Sequence, residues 1–180
     1  MNLEFVYPAP AGLPVRVRPP RGRANILRII QTADWRKVHN LRADALVRAG
    51  AFWLHGFLDE SHELCQKDHT TEGSYWHALM HRSEGDFSNS MYWYQKVGKH
   101  TIFPALRAEV ENMEGIGSGF EKARRTLLLE SQWSPAPFVN LCQRAYQGSL
   151  GESELLQRIA AAEYDLLMGY LLQRESLTSH

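Results

Sequence analysis

The chain has 180 residues, the size of one ordinary domain, and it is long enough to bury a hydrophobic core without disulfides or metals. Hydrophobic residues make up 44% of it and charged residues 22%, which argues against a disordered chain or a coiled-coil rod. Lys+Arg and Asp+Glu both number 20, so the net charge is zero and no overall positive field would hold a nucleic-acid backbone. Composition therefore indicates a globular protein without nucleic acid as its main partner.

The cysteines and the hydropathy pattern predict a cytoplasmic location. Cys65 and Cys142 are too few for a secreted scaffold of this size, so we expect buried free thiols in a reducing compartment. The first residues lack the basic start and the apolar run of a signal peptide. No stretch approaches the about 20 apolar residues of a membrane span. We therefore expect no membrane partner.

The first 23 residues contain five prolines. Proline fixes φ and removes a backbone donor, so residues 1–23 are predicted to form an extended arm rather than a helix or a central strand. The arm could pack on the rest of the chain or reach a neighbouring subunit, which would make the protein a homo-oligomer.

Helical periodicity runs through nearly all of residues 24–180, and no stretch shows sustained alternation. We therefore predict a single all-α domain over 24–180, either a helical bundle or a tetratricopeptide-like helical array of about seven helices. The predicted helices cover 24–32, about 35 or 42 to 66, 74–85, 87–97, about 100 to 113, 120–132, 135–147 and the C-terminal region to about 174.

Two consecutive predicted helices carry histidine and carboxylate side chains at the same spacing. Positions i, i+4 and i+7 of a helix lie within an arc of about 60°, so each triplet forms one stripe. The two stripes also lie at a similar offset from the apolar face of their helix. The triplets are His55, Asp59 and His62 in the first helix and His77, His81 and Glu84 in the second.

An antiparallel arrangement of these two helices would set the stripes side by side. Imidazole and carboxylate ligands on facing helices are typical of zinc, iron or manganese sites in helical bundles, so the six residues are candidate metal ligands. Asp59, Glu84 and His100 are candidate catalytic groups. Stripes that face away from each other would only be solvated, and a metal-free polar pocket is a third alternative. The expected pairs are His62 with His77, Asp59 with His81, and His55 with Glu84.

Several known catalytic motifs are absent. His77 and His81 have the spacing of a zinc-protease helix, but Ala78 stands where the general-base glutamate would be. The glycine-rich stretch from Gly115 to Gly119 follows a predicted helix and lacks the Lys-Ser/Thr ending of a phosphate-binding loop, so we interpret it as a hinge. No binding site for an organic cofactor is predicted.

Residues 85–97, GDFSNSMYWYQKV, resemble the turn and second helix of a tetratricopeptide repeat. A glycine precedes the turn, an aromatic residue follows it, and the small residue Ser90 precedes Tyr94 and Val97. Only about one repeat length is similar, and no second copy is evident in the sequence. The resemblance implies a helical hairpin.

The longer stretch 73–100, GSYWHALMHRSEGDFSNSMYWYQKVGKH, resembles a family of small uncharacterised proteins of bacteria and some fungi, as does FLDESH at 57–62. The resemblance covers about residues 45–105 and implies no known activity. It does imply that certain polar residues belong to one motif: His62, His77, His81, Glu84 and His100.

Two functions of different class follow from the sequence. One is a metal or small-molecule site between the two striped helices, with hydrolytic or oxidative chemistry if it is catalytic. The other is a tetratricopeptide-like module that binds a partner protein and has no catalytic activity.

Overall fold

The structure, a computed structural model, describes residues 21–148 and 154–176. Its regular elements within these stretches are ten helices and no strands, which confirms the all-α prediction; a single isolated bridge pairs Leu41 with Ser176. The helices are α1 (Ala24–Thr32), α2 (Trp35–Val38), α3 (Ala45–Leu54), α4 (Leu58–Cys65), α5 (Thr71–Glu84), α6 (Phe87–Val97), α7 (Phe103–Asn112), α8 (Ser118–Leu127), α9 (Pro135–Tyr146) and α10 (Glu154–Glu175).

The long helix expected from about residue 35 or 42 to 66 is wrong: this part of the chain forms α2, α3 and α4. The decisive residue is Gly56, which has φ of +71° and so turns the chain between α3 and α4. This division accounts for much of the difference between the about seven expected helices and the ten observed. The arm predicted for 1–23 lies outside the described residues except for 21–23.

Capping side chains fix the start of two helices. The Asp86 carboxylate accepts a hydrogen bond from the Asn89 N–H at 3.1 Å, and α6 covers the predicted range 87–97. Helix α5 begins at Thr71, earlier than the predicted start at 74, because the Thr70 hydroxyl accepts from the Gly73 N–H at 3.2 Å. These local contacts set where the polar side chains of α5 lie.

Helices α3 and α4 form a hairpin with the same local contacts as the hairpin of α5 and α6. In each, a buried serine hydroxyl of the second helix donates to an alanine carbonyl of the first, at 2.9 Å and 2.8 Å. In each, a glycine with positive φ joins the two helices. The equivalent positions are 29 residues apart: Ala49 and Ala78, Gly56 and Gly85, Ser61 and Ser90.

Helix α10 covers the first helices of both hairpins. Tyr164 stacks on Trp53 of α3 with ring centroids 5.5 Å apart and meets Trp76 of α5 edge-on at 5.8 Å. Gly50 of α3 allows the close approach, since a Cβ there would lie 2.6 Å from Trp76. Neither α10, with 22 residues, nor any other helix in the described stretches has the length and apolar character needed to cross a bilayer.

Both cysteines are free thiols, and both are buried. Burial raises the pKa of Cys65 and of Cys142 to about 12. A thiol is nucleophilic only as the thiolate, so these side chains are packing residues at neutral pH.

Candidate functional site

Three of the candidate histidines come together between α4 and α5. The ring centroids of His62 and His77 are 5.1 Å apart, and those of His62 and His81 are 5.9 Å apart. His77 and His81, one turn apart on α5, are separated by 6.1 Å. The two helices therefore present three imidazoles to each other, and His62 lies beside His77 as the antiparallel pairing requires.

His77 is held on two sides. Its ring stacks on Trp93 of α6 with a centroid distance of 4.0 Å and an interplanar angle of 8°. Its Nδ1 lies 3.3 Å from the Gly73 carbonyl oxygen, which can only accept, so Nδ1 carries the proton and Nε2 the lone pair. Only 2% of the residue is exposed.

His81 lies beside a carboxylate and a side-chain amide. Its Nδ1 lies 3.4 Å from Oε2 of Glu84, one turn along the same helix. The Asn89 side-chain amide nitrogen, from α6, lies 3.1 Å from Nε2 and 3.4 Å from Nδ1. The carboxylate beside Nδ1 can only accept, which favours a ring with its proton on Nδ1 and its lone pair on Nε2.

Both α5 histidines are neutral at pH 7. Burial, followed by the neighbouring His62 and His81, lowers the pKa of His77 to about 4. Burial also lowers the pKa of His81, although the carboxylates of Glu84 and Asp86 oppose it. A neutral imidazole keeps a lone pair, so each ring can accept a hydrogen bond or bind a metal ion.

The other two residues of the first stripe lie on the side where the chain leads into α1. The carbonyl oxygen of His55, at the end of α3, accepts from the Gly22 N–H at 2.8 Å. The side chain of Asp59 is 73% exposed and lies 3.8 Å from Arg21. The predicted stripe required His55, Asp59 and His62 to lie on one continuous helix. Because the chain turns at Gly56, His55 lies outside the helix that carries Asp59 and His62.

The rings of the three histidines do not share one orientation. His62 meets His77 at an interplanar angle of 85° and His81 at 70°, whereas His77 and His81 are nearly parallel at 15°. As they stand, no three His, Cys, Asp or Glu side chains in residues 21–148 and 154–176 are arranged to hold a metal ion.

His100 lies in a different polar cluster. Its ring packs against Tyr75 at 5.0 Å and Tyr170 at 5.1 Å, and Nε2 is 3.9 Å from Oε1 of Glu72. Burial lowers the pKa of His100, and Glu72 opposes that effect. Glu72 also pairs with Arg174 at 2.5 Å, so the cluster ties α5 to the end of α10.

A buried charged network lies at the centre of the molecule. Arg82 and Glu163 form an ion pair of 2.7 Å with side chains that are 2% and 0% exposed. The hydroxyls of Tyr75 and Tyr94 donate to Glu163 at 3.0 Å and 2.7 Å, and Arg82 donates to the Tyr94 oxygen at 2.8 Å. Burial would lower the pKa of Arg82, but Glu163 holds it above its usual range. Arg82 also lies 4.6 Å above the Phe138 ring.

The sequence interpretation did not assign some residues that shape these clusters. Asn89 and Trp93 are one turn apart on α6, so they reach His81 and His77, which are one turn apart on α5. Glu163 occupies an apolar stripe of α10 between Ile159 and Leu167, and an acidic residue at such a position indicates a buried partner. In the sequence, the i, i+4 spacing of Asn89 and Trp93 and the acidic residue within the apolar stripe of α10 could have indicated these contacts.

Compared with protein-family models, with curated proteins and with solved structures, the chain matches none of them. The geometry of the side chains therefore carries the functional interpretation.

Proposed function

We propose that His62, His77 and His81 bind a divalent transition-metal ion between α4 and α5, with zinc the first candidate. The observation that carries this proposal is the convergence of three imidazoles from two helices, with ring centroids 5.1 Å, 5.9 Å and 6.1 Å apart. Protonated imidazoles at these distances would repel one another, whereas neutral imidazoles can share one metal ion through their lone pairs.

The spacing of the rings suits a shared ion. Imidazoles that bind one zinc at a Zn–N distance of about 2.1 Å have ring centroids about 5 Å apart. The observed separations are close to that value, so the lone pairs can converge through side-chain rotation with the helices in place. His62 and His81 are half-buried, whereas His77 is buried, so the first two rings have more room to turn than the third.

His77 and His81 have hydrogen-bond acceptors of the kind that orient metal-bound histidines. A ligating histidine donates its second N–H to a carbonyl or a carboxylate, which fixes the ring and its tautomer. The Gly73 carbonyl has this position for His77 at 3.3 Å, and Glu84 has it for His81 at 3.4 Å. Glu84 is thus an orienting group in this proposal, and Asp59, being largely exposed, is not a ligand.

Protonation also favours binding. A metal ion must displace any proton from the nitrogen that it binds. Because burial lowers the pKa of His77 and of His81, both are already neutral at pH 7. The lowered pKa values reduce the cost of binding near neutral pH.

The test is zinc titration of the untagged, chelator-treated protein at pH 7.5, followed by competition with a chromophoric chelator. We expect one zinc per chain. His62→Gln and His81→Gln should each weaken binding about tenfold or more, and Glu84→Gln should weaken it about tenfold, because orienting partners contribute at that level. Iron(II) and manganese(II) are titrated in the same way.

The matched control is His69→Gln, since His69 is exposed and lies in the link before α5. It should leave zinc binding unchanged. Circular dichroism and thermal unfolding of each variant check that the fold is retained. Absence of stoichiometric binding, or equal binding by the folded His62→Gln and His81→Gln variants, would refute the metal site.

A second candidate, an interaction module built from helical hairpins, is favoured by the repeated contacts of α3–α4 and α5–α6. Such modules bind a partner segment across the first helices of successive hairpins. Here α10 covers those helices through Tyr164, so a partner would first have to displace it. The module is therefore less well supported than the metal site.

A further inference from the structure

A cleft of about 560 Å³ opens between the start of α7 and the segment that leads into α9. This volume lies within the range of about 300–1,000 Å³ that small-molecule sites occupy. Apolar surface comes from Phe103 and Pro104 on one side and from Trp133 and Pro135 on the other. None of the three clustered histidines between α4 and α5 lines it, so the cleft is a separate feature.

Three buried side-chain nitrogens in its lining have no hydrogen-bond partner among the described residues, and one of them, Nε2 of His100, faces Oε1 of Glu72 at 3.9 Å. The other two are the indole Nε1 of Trp133, a residue that is only 5% exposed, and Nη1 of Arg107. The second nitrogen of that guanidinium is already engaged, since Nη2 lies 3.0 Å from Glu111. Buried N–H groups are nearly always paired, so two orphan donors in one cleft indicate a missing acceptor.

The charged residues of the lining also favour an anionic acceptor. Lys99 and Arg107 contribute two positive charges, and Glu130 contributes the one negative charge. His100 forms part of the wall, and its Nδ1 accepts from the Ile102 N–H at 3.3 Å, so its proton is on Nε2 and the lining gains no acceptor from it. The cleft is therefore rich in donors and has a net positive charge.

We propose that this cleft binds a small organic carboxylate. Its two oxygens meet the Arg107 guanidinium and the Trp133 indole N–H, and its apolar body packs against Phe103 and Pro135. Two free donors match the two oxygens of a planar monoanion. A phosphate dianion would need at least a third donor beside these two, and the remaining buried donor, His100 Nε2, faces Glu72.

Isothermal titration of the full-length protein with 3-phenylpropionate tests the proposal, with a chelator present so that no metal site contributes. The matched neutral probe is 3-phenylpropionamide, and phenyl phosphate is the third arm. We expect the carboxylate to bind about tenfold more tightly than the amide, as a charge-assisted pair requires. Absence of carboxylate binding, equal binding of the amide, or tighter binding of phenyl phosphate would overturn the proposal.

Variants locate the site. Trp133→Phe keeps the ring and removes the N–H, and Arg107→Gln removes the charge; each should weaken carboxylate binding about tenfold. Glu130→Gln removes the opposing charge and should strengthen it. Arg36→Gln, at an exposed arginine of α2 outside the cleft lining, is the control and should change nothing. If folded Trp133→Phe and Arg107→Gln variants bind as tightly as the unaltered protein, the assignment is wrong.

Discussion

At the scale of single residues, the surroundings of His77 decide its chemistry. Burial, with the ring stacked on Trp93, and the nearby His62 disfavour a positive charge on the ring, and the hydrogen bond to the Gly73 carbonyl opposes them. The same imidazole on an exposed helix would titrate near 6.5. Packing therefore keeps the ring neutral down to about pH 4, where an exposed imidazole would carry a proton.

This burial predicts that the protein loses stability in mild acid. Between pH 6.5 and about 4 the unfolded chain binds a proton at His77 and the folded protein does not, so the free energy of unfolding falls as the pH falls through this range. Urea denaturation at pH 7.0 and pH 5.0 measures the loss. We expect a smaller loss for His77→Gln and the full loss for the exposed control His69→Gln. An unchanged loss in His77→Gln would show that other groups account for it.

At the scale of helices, the turns of the two hairpins have a backbone conformation that favours glycine. Gly56 and Gly85 occupy equivalent positions and both have positive φ, at +71° and +84°. A side chain with a Cβ is strained in this conformation, so glycine allows the second helix to begin within a few residues. The equivalence of α3–α4 and α5–α6 is visible in their contacts, whereas few residue identities are shared between them.

Gly85→Ala should destabilise the protein by about 1 kcal/mol, because alanine is strained at φ of +84° and its Cβ would lie 3.2 Å from Tyr146. The matched control is Gly169→Ala within α10, where a Cβ would meet nothing within 4 Å. There alanine should stabilise by about 0.5–1 kcal/mol through its higher helix propensity. Thermal unfolding of the two variants should thus shift in opposite directions, and a shift in the same direction would contradict this reading of the turn.

At the scale of the whole molecule, α10 connects the parts of the fold. Its Glu163 binds Arg82 and Tyr75 of α5 and Tyr94 of α6, and its Tyr164 packs between Trp53 and Trp76. A buried ion pair is a demanding interaction, because each charge depends on the other for compensation.

Glu163→Gln should therefore cost about 3–5 kcal/mol of unfolding free energy, since it leaves the Arg82 charge buried without its counter-charge. Glu121→Gln, which removes a half-exposed carboxylate 3.0 Å from Arg124, is the control and should cost about 1 kcal/mol or less. Urea denaturation provides both values. If the double variant Arg82→Met/Glu163→Met recovers most of the lost unfolding free energy, the cost of Glu163→Gln arises from the uncompensated charge of Arg82. Similar small losses for Glu163→Gln and Glu121→Gln would refute the prediction.

The sequence by itself determined the features that depend on neighbouring residues. These are the all-α class, the bounds of α1 and α6 and the Asp86 cap. Periodicity and capping act within a few residues, so they can be read along the chain.

Only the tertiary structure decided the rest. It turned the chain at Gly56 and so took His55 out of a continuous stripe, it oriented the three imidazole rings, and it joined Tyr75 to Glu163 across 88 positions of sequence. A helical pattern defines which side chains share a face but not which distant helix packs against it. The burial that lowers the pKa of His77 and leaves the Trp133 N–H without an acceptor depends on those long-range contacts.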